Sequence, residues 1–164
     1  VSVPDHEAVY AAEIAAFDGT DLEQVQPFDM IQVILQQVID GAWWPAGPVE
    51  VRRTRSDAGS SSTRCTASHL GARATISLAA PQMTVATAAH ELAHVLAGPG
   101  RGHDGVYRRA YLDTVRVMTN MNPTDRRMSL HVEQLSVAFA ALGLDVGERL
   151  WPAPADGTGS AFAL

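Results

Sequence analysis

The feature that most constrains this chain is the stretch 84–104, TVATAAHELAHVLAGPGRGHD, in which His90-Glu91-Leu92-Ala93-His94 lies inside a helix-forming run. Thr84 is a suitable N-cap, Val85 to Ala97 contains no helix breaker, and Gly98-Pro99-Gly100 is a strong stop. A helix turns about 100° per residue, so side chains four apart share a face. His90 and His94 are thereby placed to hold one metal ion. Glu91 falls beside that ion's open position, where a carboxylate can take a proton from water. Two ligands are too few, since a catalytic zinc usually takes three plus water. The next histidine, His103, follows a turn in which Gly98, Gly100 and Gly102 give the chain freedom to fold back. With six histidines and seven glutamates, an HExxH pattern arises by accident roughly once per hundred chains of this length. The competing reading is a buried helix whose histidines are core residues.

Asp113 is the main rival for the third ligand, at the interval where thermolysin-like enzymes supply a carboxylate, and Glu133 is a weaker one. Both fall among residues that pattern as solvent-facing, so both read as solvated. His69 and His131 lack metal spacing, and His131 reads as a surface histidine. Tyr107 and Tyr111 stand one turn apart just after His103. Tyr111 is the candidate donor to a developing oxyanion, and Tyr107 reads as packing.

Around this unit the chain reads as alternating short elements. Pro4 to Phe17 is an amphipathic helix with Val9, Ala12, Ile14 and Phe17 on its apolar face. Pro27 to Ile39 is a second, with Met30, Ile31, Ile34, Leu35 and Val38. Trp43 and Trp44 read as packing at a helix end. Val49 to Arg55, Thr63 to Ser68 and Arg73 to Leu78 alternate as three strands, with Cys65 an ordinary small strand residue. Their connections are too short for crossover helices, which favours a mostly antiparallel sheet. After His103, Asp104 opens a helix with Val106, Tyr107, Ala110, Tyr111, Thr114, Val115 and Met118 on one face. A last helix, Ser129 to Leu142, is capped by Ser129 and stopped by Gly143. The expectation is an α+β fold, one domain over 1–150, and a loosely held tail over 151–164.

Composition excludes several chemistries. All 12 basic residues are Arg, so there is no Schiff-base or phosphate-loop lysine. The net charge of −6 and the short, scattered Arg clusters give no basic face for nucleic acid. One cysteine, Cys65, allows no intrachain disulfide, and no apolar run is long enough to span a bilayer. A cytoplasmic protein off the membrane is expected.

HELAH, the early VYAAE (Val9 to Glu13) and GHDGVYRRAYLDTV (Gly102 to Val115) together resemble a family of small predicted metallohydrolases of actinobacteria and their phages. More distantly the chain resembles Spartan-type proteases, in which a His-Gly is followed by an aromatic. Here Asp104 follows His103 and the aromatic is Tyr107. That departure leaves Asp104 either as a helix cap or as a carboxylate behind the metal ligands. The resemblance implies a minimal zincin fold, bound zinc and hydrolysis, and names no substrate.

The expected activity is that of a zinc metallopeptidase acting on a peptide or protein. Zinc sits on His90, His94 and His103, and Glu91 is the general base. The strand Arg73 to Leu78, if it forms the sheet edge, offers a peptide a pairing partner. Two other classes fit the same motif: a non-catalytic, zinc-stabilised binding or regulatory protein, and a DNA-associated Spartan-like protease. A closed coordination sphere favours the first, and a basic surface the second.

Overall fold

The computed structural model describes residues 3–68, 71–119 and 127–154. Its elements follow as α1 (Val3–Phe17), α2 (Phe28–Asp40), β1 (Val49–Arg53), β2 (Ser62–Ser68), β3 (Gly71–Leu78), α3 (Val85–Ala97), α4 (Gly105–Thr119) and α5 (Arg127–Ala141). Single 3-10 turns stand at Asp21–Glu23 and Ala80–Gln82. The class is α+β, with five helices and three strands among the described residues.

α3 has the bounds its caps dictate. The Thr84 hydroxyl accepts the Thr87 amide at 3.1 Å, and Gly98 at φ 91° ends the helix. The helix is buried nearly all round, because α4 lies along one side while β2 and β3 lie on another. α4 is the second central element. Its buried set exceeds the one face its periodicity gives and includes Arg108, Leu112, Asp113 and Val117, since α3 covers one side and α5 another. α1 packs on α5 and buries Val9, Ala12 and Phe17. Ile14, expected on that apolar face, is 64% exposed, and the buried Glu13 lies inward in its place. On α2, Ile31, Leu35 and Val38 go inward while Met30 faces solvent.

The sheet is mixed, with order β1-β3-β2. β2 returns antiparallel onto β3, Cys65 opposite Ala74, as its short turn requires. β1 lies on the other side of β3 and runs parallel to it, Val51 opposite Ile76. The expectation of a mostly antiparallel sheet missed this pairing because β2 itself makes the return pass, so no crossover helix is needed. β3 is therefore central, paired on both sides. The strand Arg73 to Leu78 is not an edge and gives no pairing site to a peptide. β2 is the edge beside α3.

Other expectations resolve locally. Trp43 and Trp44 pack against the core, donating to the carbonyls of Pro152 and Gly47. α5 begins at Arg127, so Ser129 lies inside its first turn instead of capping it. Gly143 does end α5, at φ 68°, with the Leu144 amide reaching the Phe139 carbonyl at 2.9 Å. The segment after α5 is tied to α4. The Gly147 amide donates to the Gly105 carbonyl at 2.8 Å, and a Cβ on Gly147 would stand 2.8 Å from the Gly105 carbonyl carbon, so only glycine permits the approach. The tail expected to hang loose from Trp151 is anchored at its start, where the Trp151 indole donates to Asp113. His69 and residues 155–164 lie outside the described residues. Among the described residues, no helix is long and apolar enough to cross a membrane.

Candidate metal centre

His90 and His94 project from one face of α3, and the turn after it carries His103 back against them. Gly98, Gly100 and Gly102 all take positive φ in that turn, the conformations for which glycine is suited. The Asp104 carboxylate accepts the Tyr107 amide at 2.9 Å, which makes it the cap of α4. Arg108 fixes the backbone between them, donating to the His103 carbonyl at 2.7 Å and to the Asp145 carbonyl at 2.7 Å. The result is three imidazoles that each bring one ring nitrogen to within 4.8 Å of the others.

The donor chemistry of this cluster fits a cation. His90 Nδ1 stands 3.2 Å from the Glu13 carboxyl group, and a His90 that donates to it from Nδ1 has its lone pair on Nε2. His103 Nε2 stands 3.2 Å from that Nε2. If His103 carries its proton on Nε2, its buried Nδ1 lone pair has no donor. If the proton is on Nδ1, that N–H has no acceptor and two lone pairs face one another. Either tautomer leaves a buried polar atom unsatisfied, a cost of about 1–3 kcal/mol that a shared metal ion removes. Protonation is no remedy. Burial, then the charge of His90 and of the other neighbouring histidines, holds both His94 and His103 down to about 3. His94 and His103 are thus neutral rings with lone pairs to offer.

Glu91 stands in the same place with its side chain in hand. The Thr63 hydroxyl from β2 donates to Glu91 Oε2 at 2.6 Å. Burial raises the carboxyl's pKa and Glu13 adds to the rise, while His90 and the Thr63 hydrogen bond work against it. A cavity of about 420 Å³ opens over the cluster. The three histidines and Glu91 form its floor, β2 gives it Thr63 and Cys65, and α1 gives it His6 and Tyr10. Burial raises the Cys65 thiol's pKa, so it remains a neutral wall residue.

Several sequence expectations fall elsewhere. Tyr111 is fully buried beneath His90, donates its hydroxyl to the Ala86 carbonyl at 3.3 Å, and does not line the cavity. Its hydroxyl also bonds to Glu13 beneath the cavity, so the geometry makes it a support for the site. Tyr107, read as packing, is buried in the core and donates to the His90 carbonyl. Asp113 is not solvated: it is 2% exposed and accepts two hydrogen bonds from Arg149 and one from Trp151. His131 is buried too, 3.2 Å from Asp21 and edge-on to Phe17. Glu133 faces solvent.

Sequence reasoning missed the contribution of α1. His6, Tyr10 and Glu13 stand four and three residues apart, one helical stripe. His6 sits 4.7 Å ring to ring from His103, Tyr10 stacks on His90 at 5.3 Å, and Glu13 bonds to His90. The signal was a polar stripe inside an otherwise apolar helix. Thr63 left no such trace, since a threonine in a strand is unremarked. No described protein family, curated protein or solved structure matches the chain.

Proposed function

We propose that the protein is a zinc-dependent hydrolase, a metallopeptidase acting on peptides or proteins, of the small zincin kind that the sequence resembles. The observation that carries this reading is the placement of Glu91 in the same open cavity as His90, His94 and His103. A zinc ion on the three imidazoles supplies Lewis acidity toward a water and a carbonyl oxygen when bound. Thr63 occupies Glu91 Oε2, which leaves Oε1 as the oxygen that takes the proton from the attacking water. The raised pKa suits Glu91 to carry that proton and return it to the leaving amine as the carbon–nitrogen bond breaks. β2, paired with β3 on one side and bordering the cavity at Thr63, is the strand along which an extended peptide would lie.

The non-catalytic alternative calls for a closed site, whereas this cavity is open to solvent and has a carboxylate in its floor. The experiment compares wild type with Glu91→Gln in metal content and in cleavage of a diverse peptide library. The expected outcome is equal zinc in both, with cleavage lowered about 10²–10⁴-fold in the variant. Equal cleavage by the two proteins would refute the mechanism, and metal-loaded wild type that cleaves nothing would favour the binding-protein reading.

A further inference from the structure

The buried polar groups of the molecule include one that the proposed reaction does not use. Glu13 lies on α1, far from the motif in sequence, and is 7% exposed. Its one ion-pairing partner among the described residues is His90 Nδ1, at 3.2 Å. Aromatic rings enclose the pair: Tyr10 stacks on His90, and Tyr107 and Tyr111 stand 5.5 Å from it edge to face. The carboxyl group gives up its hydration there for the contact with His90 and a hydrogen bond shared with Tyr111, an arrangement that costs free energy in a site walled by aromatic rings. The cost is recovered when a cation binds the far nitrogen of the same ring.

We propose that Glu13 is a positioning residue for the metal centre, holding His90 as the Nδ1–H tautomer and strengthening its Nε2 as a ligand through the hydrogen bond. The inference rests on the metal reading given above. It makes α1 part of the site: the helix brings the acceptor that sets which nitrogen of His90 faces the cavity. Carboxylate partners of this kind alter metal affinity roughly 10–100-fold when removed.

Glu13 also carries a distinctive stability signature. A residue retained for folding loses stability when replaced. A residue retained for the metal leaves the metal-free protein as stable or more stable when replaced by its isostere Gln, because the hydrogen bond to His90 survives and a buried charge has gone.

The test uses the whole chain as wild type, Glu13→Gln and Glu13→Ala. Three quantities are read: zinc affinity by chelator competition, melting temperature of the metal-free protein, and the His90 tautomer from its ¹⁵N imidazole shifts without metal. Affinity is expected to fall in the order Glu, Gln, Ala, with the full loss about 10–100-fold. The amide of Gln still accepts the Nδ1 proton and so rescues part of the effect. The metal-free melting temperature of Glu13→Gln is expected to hold or rise, and the Ala variant to lose the pure Nδ1–H signature. Wild type that binds zinc with unchanged affinity in both variants would overturn this inference alone. A drop in metal-free melting temperature with affinity intact would do the same. Wild type that binds no divalent metal would overturn the metal reading and this inference with it.

Discussion

Two buried polar clusters lie in the same helical layer and treat their charges in opposite ways. On α4, Asp113 is enclosed with three donors, two from Arg149 at 2.7 and 2.9 Å and one from the Trp151 indole at 2.9 Å. Each strong acceptor is matched within the chain, and the arrangement is complete as it stands. Around α3, His90, His94 and His103 are as crowded, yet His103 Nδ1 has no partner and two Nε2 atoms face one another at 3.2 Å. The first cluster closes its valences with protein atoms and holds the fold. The second leaves them open, and its three imidazoles could hold a metal ion.

The contrast breaks most visibly if one imidazole is removed. His94→Ala is expected to lose stoichiometric zinc by mass spectrometry, while metal-free stability moves by no more than about 1 kcal/mol in denaturant. Acid should act on the same cluster. Folded His94 and His103 are held down to about 3 against an ordinary 6.5, so between these values the unfolded chain binds protons that the folded chain does not. Stability is therefore full above about 6.5 and falls as the pH is lowered toward about 3. Thermal melts of the metal-free protein across that window check it, and a flat profile would contradict the assignment.

The opposite response belongs to the other cluster. Asp113→Ala is expected to cost about 2–4 kcal/mol, somewhat under a fully buried pair because the Arg149 side chain is 30% exposed, with zinc content unchanged. A loss of zinc in that variant would erase the distinction between the two clusters. The smallest effect sharpens the site itself. Thr63→Val is expected to lower kcat about tenfold, the worth of one hydrogen bond to a charged group, with zinc affinity and melting temperature held.

The helix α3 was the most legible part of the sequence. Its caps, its length and its two histidines are local properties, and Val85–Ala97 has the bounds that Thr84 and Gly98 set. His103 was legible through the glycines before it, whose positive φ values describe how the turn closes. What stayed hidden was whatever depends on elements distant in sequence. Asp113 and His131 looked solvated because nothing near them in the chain announces Arg149, Trp151 or Asp21. Tyr111 looked available because its hydroxyl is claimed by a backbone carbonyl of another helix. The parallel pairing of β1 with β3 was invisible because strand order is a property of the packed sheet, while alternation only identifies strands.

Arg108 joins the carbonyl of His103 to that of Asp145, and Gly147 closes onto Gly105 at the start of the same helix. The third imidazole is thus set by residues synthesised well after it. As the chain leaves the ribosome, α3 can form and present its two histidines early, but the geometry of the third waits until the segment around Gly147 has emerged and docked. The pair His90 and His94 thus needs only α3, whereas the place of His103 needs contacts made by residues some forty positions later. On the metal reading proposed above, capture of the ion becomes a late event of biosynthesis, after the segment around Gly147 has docked.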